Sequence, residues 1–332
     1  MRIVIFGTGL MARLRARHLL MDGRVSWVGL ASSNPIRAKE TATEIGASFY
    51  GGLEEALVQN VDALVVAGAS DDHAGHIRLG LAAGVPIFSE KPLATDLEEC
   101  REVVRDAEAA SVEVQVGFQR RFDKEYVDAK NLLDSGQLGR LYGLRLISHD
   151  HQPPTERFVT TSGGLFRDLG VHDYDLARWL TGEEVCEVFV VGAARSEWDY
   201  FERHDDVDTA VTLLKMESGL PVVISSARHS PDGHDVRAEL YGSRHNVVVG
   251  YGSYAPLRSP GEIAAGKKVD AFPNFLARFE GAFEQQSEAF VDWVAGETPN
   301  PCPAKHGVEA LRVAVAAELS WKQNRPVVVS EI

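Results

Sequence analysis

Cysteine is scarce in this chain: among 332 residues only Cys100, Cys186 and Cys302 occur, far apart and with no CxxC pair. That spacing argues against a zinc ribbon, a redox dithiol or a secreted disulfide framework, and it fits a reducing cytoplasm. Long apolar runs are missing too. The stretches 63–69 and 185–194 fall well short of the roughly 20 residues a membrane helix needs, and Glu187 interrupts the second. Nothing at the start reads as an export signal, since Ile3-Val4-Ile5-Phe6 opens directly as a strand. Positive charge is in deficit, with 34 basic against 48 acidic side chains and a net charge of −14. Such a surface repels phosphate backbones and anionic lipid, so neither nucleic acid nor membrane is expected as a partner, and a small molecule is. The apolar content of 45% is enough for a substantial core.

What the chain does have is alternation. Short β-branched runs at 2–6, 25–30, 63–67, 86–89 and near 113–117 alternate with helical patterns, the signature of parallel strands joined by helical crossovers. Asn34-Pro35 and Thr95-Asp96 offer starts for helices over 36–45 and 97–110. Beyond Phe122 the strands lengthen, at 143–148, 185–194, 209–217, 221–227 and 236–241, with hairpin-like turns at 215–220 and 242–246. Helices are predicted at 126–135, 172–180, 277–294 and 308–322, a closing strand at 327–329, and a loose loop over 251–268. The expected fold class is α/β: a doubly wound domain over 1–120, then a domain built on a mostly antiparallel sheet over 121–332.

Gly7-Thr8-Gly9-Leu10-Met11-Ala12 follows the first strand and opens a helix, the context of a dinucleotide fingerprint. The first glycine makes the tight turn, the second leaves room for a pyrophosphate, and Ala12 lets the helix pack closely while free N–H groups face the anion. A bare strand-to-helix turn is the alternative. The acid that usually binds the ribose 2′-hydroxyl is absent, because no Asp or Glu occurs between Asp22 and Glu40. The second strand ends instead in Ala31-Ser32-Ser33-Asn34, with Arg37 one turn into the next helix. Hydroxyls and a guanidinium suit a 2′-phosphate, so NADP is favoured slightly over NAD. Arg13, Arg15 and Arg17 read mostly as the solvated face of the first helix.

Glu90-Lys91-Pro92 closes the 86–89 strand, where open α/β sheets place their ligands. Downstream, Gly163-Gly164 leads to Asp168 and His172, four residues apart; a helical turn would set the carboxylate beside the imidazole. Taken alone, these features also read as a turn and a capping pair. In His149-Asp150-His151, strand alternation puts the histidines on one face and Asp150 on the other, and two ligands do not make a metal site. No metal is expected.

Together, the GxGxxA, the EKP tripeptide and the GGxxxDxxxHxxD segment at 163–175 resemble the glucose-fructose oxidoreductase, inositol dehydrogenase and MocA-like family, most of all its inositol dehydrogenase branch. The likeness runs over essentially the whole chain. It implies a Rossmann domain binding NAD(P) and an α+β domain whose open sheet forms a homo-oligomer, dimer or tetramer. It implies catalytic roles for Lys91, Asp168 and His172, and a substrate pocket that also includes Gln119, Arg120, Asp150, Asp175 and His234. Cofactor contacts would come from Gly7 to Met11, Ser32, Ser33, Arg37, Ala69, Ser70, His73, Glu90 and Lys91. Ala69-Ser70-Asp71-Asp72-His73 replaces a Thr-Pro common in the family, Asp232-Gly233-His234-Asp235 replaces a Tyr-Gly-Tyr-Asp, and Gln119 a frequent methionine. The last two exchanges add hydrogen-bonding groups and point to a polyhydroxylated substrate, a cyclitol, sugar or derivative other than myo-inositol.

In such a reaction an alcohol needs a base for its proton and a nicotinamide for its hydride. His172 titrates near neutrality and suits the base; Asp168 would orient it and Lys91 would stabilise the alkoxide. Two rivals share these residues or their frame: a regulator that senses nucleotide or sugar, and a lyase or epimerase that oxidises only transiently.

Overall fold

The structure, a computed structural model, describes residues 1–332 in two compact units. Met1–Gln119 and Gly281–Glu309 form the first, Arg120–Glu280 and Ala310–Ile332 the second.

The first unit is built on six parallel strands: β1 (Arg2–Phe6), β2 (Trp27–Ala31), β3 (Ser48–Phe49), β4 (Ala63–Val66), β5 (Ile87–Glu90) and β6 (Val114–Gly117). Their order is β3-β2-β1-β4-β5-β6, so the chain reverses direction across the sheet between β1 and β4. Nearly every residue of β1 and β4 is buried, because helices cover both faces. Ile3, Ile5, Leu30 and Val65 pack with Ala12, Ala16 and Leu19 of the helix Leu10–Met21. The expected helix starts hold: Asn34 Oδ1 accepts from the Arg37 N–H at 3.1 Å, and Asp96 Oδ1 from the Glu99 N–H at 3.0 Å. β3 and the helix Leu53–Leu57 were not legible in the sequence, being too short to show a period.

The expected boundary at residue 120 needs a correction at the other end of the chain. Gly281–Glu309 returns to the first unit, because Phe290 and Val291 of the helix Glu280–Val294 complete its core and Phe290 meets Phe88 edge-on at 5.7 Å between ring centres. The predicted helix over 277–294 is also two helices: Asn274 caps Phe275–Arg278, and buried Phe279 separates it from Glu280–Val294.

The second unit holds β7 (Leu141–His149), β8 (Val185–Ala193), β9 (Thr209–Met216), β10 (Pro221–Ala227), β11 (Asp235–Gly242), β12 (Asn246–Val249) and β13 (Val327–Val328). They line up as β12-β11-β7-β10-β9-β8-β13, all antiparallel except for the parallel pair β7 and β10. One face, carrying Leu144, Leu146, Ser148, Ile224 and Ser226, is buried; on the helix Val171–Thr181, Tyr174 hydrogen-bonds Thr212 of β9. The other face exposes Val191, Val211 and Leu213. The loop predicted over 251–268 contains a short helix, Pro260–Ala264, started by a Ser259/Glu262 capping box. No helix is long and apolar enough to cross a membrane.

Candidate active site

The two glycines of the first loop are there for different reasons. Gly7 has φ +131°, and a Cβ on it would lie 2.4 Å from the Ala67 carbonyl oxygen, so the protein's own backbone demands glycine. Gly9 has an ordinary φ of −75°, and a Cβ there would meet nothing within 4 Å. Its bareness serves no neighbour in the protein. It keeps space in front of the helix Leu10–Met21, whose N-terminus carries no side-chain cap and no acid in its first turn. Open space before uncapped amides is what a pyrophosphate requires, so the loop fits a dinucleotide. Thr8 is buried beside this space, Met11 half-buried and Leu10 exposed.

At the end of β2 the shortage of acids persists in three dimensions. Ser32 is buried, with Oγ accepting from the Asn34 N–H at 3.2 Å, while Ser33 and Arg37 are exposed. The first turn of the helix Pro35–Ile45 has no acid, and Glu44 in its last turn is held by Arg13 at 2.5 Å.

The EKP turn is braced from behind. Arg15 is buried, not solvated as its helical position suggested: Nε donates to Glu90 Oε1 at 2.8 Å, and Nη1 to the Phe283 carbonyl and Ser287 Oγ, both at 3.1 Å. His73 donates from Nδ1 to the Pro92 carbonyl at 2.7 Å. Burial lowers its pKa and keeps the ring neutral. His73 thus holds the Pro92 carbonyl of the EKP turn. Ala69 is exposed, and Ser70 and Lys91 are half-buried.

In the second unit the approach to Asp168 is fixed by glycine geometry. Gly163 and Gly164 both have positive φ, 83° and 79°, and a Cβ on Gly164 would lie 2.8 Å from Asp206 Oδ1. The same oxygen accepts from the Leu165 N–H at 3.0 Å. Beyond this turn Phe166–Gly170 forms a π-helical turn that runs into Val171–Thr181. Asp168 and His172 therefore lie on continuous helical backbone, though the turn between them is wider than the α-turn expected; such π-turns are frequent at functional sites.

Sheet register assembles the rest. Asp150 follows β7, Arg228 follows β10 and His234 precedes β11, so these neighbouring strands bring all three to one end of the sheet. Buried Arg228 donates from Nη1 to Asp168 Oδ2 at 2.9 Å and to Asp150 Oδ2 at 3.3 Å. Burial raises the pKa of Asp150, with Arg228 opposing the rise. His234 Nδ1 stands 3.8 Å from Asp150 Oδ1, and Nε2 is buried without a protein partner. Desolvation first, then the nearby Arg120 and Arg278, push its pKa down to about 3, so the imidazole is neutral at ordinary pH.

Two further arginines are fixed by buried carboxylates. Arg120 Nη1 donates to Asp173 Oδ1 at 2.6 Å and to Ser148 Oγ at 2.9 Å. Arg121 holds both oxygens of buried Asp175, at 2.9 and 2.6 Å. Asp175, expected among the substrate contacts, anchors Arg121 through this bidentate pair. Gln119 is buried. The histidines at 149 and 151 diverge, His149 Nε2 meeting Ser225 Oγ at 2.9 Å and His151 Nδ1 the Ser230 carbonyl at 3.0 Å; β7 stops at His149, so strand alternation no longer governs His151. Arg228 and Asp206 went unread in the sequence because neither belongs to a local motif.

Comparison with known proteins identifies the family. Residues 1–118 match the model of an oxidoreductase family with an NAD-binding Rossmann fold, and 126–248 match the GFO/IDH/MocA C-terminal domain. The chain belongs to the GFO/IDH/MocA oxidoreductase family. Within the family it is 35% identical to the myo-inositol dehydrogenase Hyg17 of Streptomyces leeuwenhoekii over 324 residues, covering 96% of this chain and 97% of that one. It is 30% identical to the scyllo-inositol 2-dehydrogenase (NAD(+)) of Bacillus subtilis over 334 residues, covering 98% and 95%. A solved myo-inositol dehydrogenase from Corynebacterium glutamicum superposes with a TM-score of 0.88 at 26% identity, over 99% of this chain and 98% of that one.

Proposed function

We propose that this GFO/IDH/MocA member is an NAD(P)-dependent oxidoreductase acting on a ring hydroxyl of a cyclitol, sugar or sugar derivative. The observation that carries the reading is the cluster of Asp150, Asp168, Arg228 and His234 at one end of the second sheet. It offers carboxylate acceptors and a neutral imidazole, which can both donate and accept, and such a wall suits several hydroxyls at once. The names of the relatives support the same substrate class. Loss of catalysis is disfavoured, because Lys91, Asp168 and His172 are all retained.

The residues take the following parts. The amides behind Gly9 hold the pyrophosphate, and Ser33 and Arg37 receive the adenosine ribose. A bound nicotinamide would supply the acceptor for the hydride of the carbinol carbon. His172 takes the hydroxyl proton, Asp168 keeps that imidazole oriented, and the Lys91 ammonium stabilises the alkoxide. Asp150, His234 and Gln119 hold the remaining hydroxyls. With no acid at the end of β2, we infer that the 2′-phosphate is tolerated and NADP slightly preferred. The relative from Bacillus subtilis carries NAD(+) in its name, so both cofactors belong in any test.

The second unit is inferred to associate with a second copy through its open sheet face, where register sets Val191 beside Val211 and Phe189 beside Leu213. Three cysteines without a disulfide support a reducing compartment. An absorbance screen at the reduced-nicotinamide band, with NAD and NADP against inositols, aldoses and sugar derivatives, tests the whole reading. Turnover of at least one polyol is expected, faster with NADP. Turnover of none, or a preference for apolar alcohols, overturns it.

A further inference from the structure

We propose that Arg228 is a positioning residue of the reaction: its single Nη1 ties Asp168 to Asp150 and sets the side on which the Asp168 carboxylate meets His172. The inference rests on the oxidoreductase reading above. Arg228 is 2% exposed, and the two bonds, 2.9 Å to Asp168 Oδ2 and 3.3 Å to Asp150 Oδ2, leave from one nitrogen. Two carboxylate oxygens bound to one nitrogen are necessarily close. Without a cation between them, a buried pair of carboxylates shares a proton, because the second ionisation must overcome the first charge. Asp150 already shows the tendency, its pKa raised by burial and by the charge of Asp168 against the pull of Arg228.

The other charged and titratable groups around the bridge do not replace it. Asp206, on the segment before β9, adds a third negative charge to the surroundings of Arg228. Arg120 lies close enough to lower the pKa of Asp150 and of His234, but its own Nη1 is bound to Asp173. His234 and the neighbouring His151 face the cluster from β11 and from beyond β7, and His234 is neutral. His172 follows Asp168 on the same helical stretch. Arg228 is thus a cation that both acids contact directly. Its place is set by the sheet: the Arg228 N–H donates to the Asp208 carbonyl at 2.7 Å, extending the ladder one residue past β10. Its Nε and Nη2 are buried without a protein acceptor, so the bridge through Nη1 is the side chain's whole protein bonding.

The test uses the full-length enzyme and its best polyol from the screen, with wild type, Arg228→Lys, Arg228→Met, Asp150→Asn and Arg228→Met/Asp150→Asn compared by kcat and KM against pH. Circular dichroism checks folding, and cofactor affinity by fluorescence checks the first unit. Arg228→Met should lose about 100-fold in kcat and move the acidic limb of its profile up by about one pH unit, with cofactor affinity unchanged. Removing the second acid as well should bring the acidic limb back toward wild type and recover part of kcat, which a purely structural role would not do. Should Arg228→Met fail to fold, Arg228→Lys carries the test: it keeps the charge without the planar fork, so kcat should fall about tenfold with the limb unmoved. A folded Arg228→Met with wild-type kcat and profile, a double variant no better than the single one, or an unimpaired Arg228→Lys overturns the proposal. Absence of turnover in the wild type on every polyol overturns the functional reading instead, so the two failures are distinguishable.

Discussion

Gly9→Asp separates ligand binding from folding more cleanly than any change at the proposed catalytic residues. Gly9 has extended backbone, φ −75° and ψ −173°, which aspartate adopts readily, and its Cβ direction is open. It is the N-cap of the helix Leu10–Met21, which has neither a side-chain cap nor an acid in its first turn. An aspartate there supplies both, worth about 1 kcal/mol together. Spread over a unit of this size, that raises the melting temperature by about 2 to 4 °C. The same carboxylate stands where the pyrophosphate is proposed to lie. A like charge at about 4 Å costs about 4 kcal/mol at an effective dielectric of 20, and solvent screening leaves roughly 3, or about a 100-fold loss of affinity. Differential scanning calorimetry and fluorescence titration with NADPH read the two effects on one sample. A variant that binds NADPH as tightly as wild type, or that melts lower, refutes the argument that Gly9 is bare for the ligand's sake. Gly7→Ala is the opposite control: with φ +131° and the Ala67 carbonyl in the way, it should lower the melting temperature by about 5 °C or more before any ligand is added.

His172→Ala and Lys91→Met should each lower turnover by at least about 100-fold, and His172→Ala should leave cofactor affinity at the wild-type level, as steady-state kinetics and titration will show. Arg15→Met leaves Glu90 buried without its cation, and thermal unfolding should register a loss of about 3 to 5 kcal/mol; a shift under about 1 °C would mean that the clamp is idle. His234 has its folded pKa near 3, below the usual imidazole value, so the unfolded chain binds its proton first and stability falls as pH drops from about 6.5 toward 3. Asp150, with a raised pKa, acts in the opposite direction as pH rises above its ordinary value, so the effect is read as the difference between wild type and His234→Gln, whose chemical denaturation midpoint should fall less steeply with acid. Val211→Glu, on the exposed sheet face, should reduce the mass seen by light scattering if that face joins two copies, and an unchanged mass would place the interface elsewhere.

Much of the architecture was readable from local pattern. Apolar runs at 2–6 and 63–67 became the fully covered centre of a parallel sheet, and Asn34 and Asp96 start their helices as their side chains require. The longer alternating runs became five strands of the second sheet almost residue for residue, while β12 was not read. The contacts that were not legible share a cause. Arg15 looked solvated because helical position alone does not reveal that the helix Glu280–Val294, far along the chain, packs over it and supplies Phe283, Gln286 and Ser287. The motif around Asp175 does not reveal that Arg121 binds both its oxygens. His73 faced a carbonyl of the EKP turn that only folding brings to it.

By itself the sequence determined the class of the protein: a dinucleotide loop after the first strand, no acid for the ribose, and a lysine, aspartate and histidine in the segments of one oxidoreductase family. These are local properties, set by which residue follows which, because turns, caps and periodicity act over a few residues. Tertiary structure alone decided how the charges are arranged. Arg228 reaches Asp150 and Asp168 across a sheet register, and the return of residues 281–309 to the first unit closes that unit's core over Arg15. The physical reason is that an ion pair or a buried side chain depends on distance in space, and residues far apart in the chain come within bonding range only when the sheet and its helices are assembled.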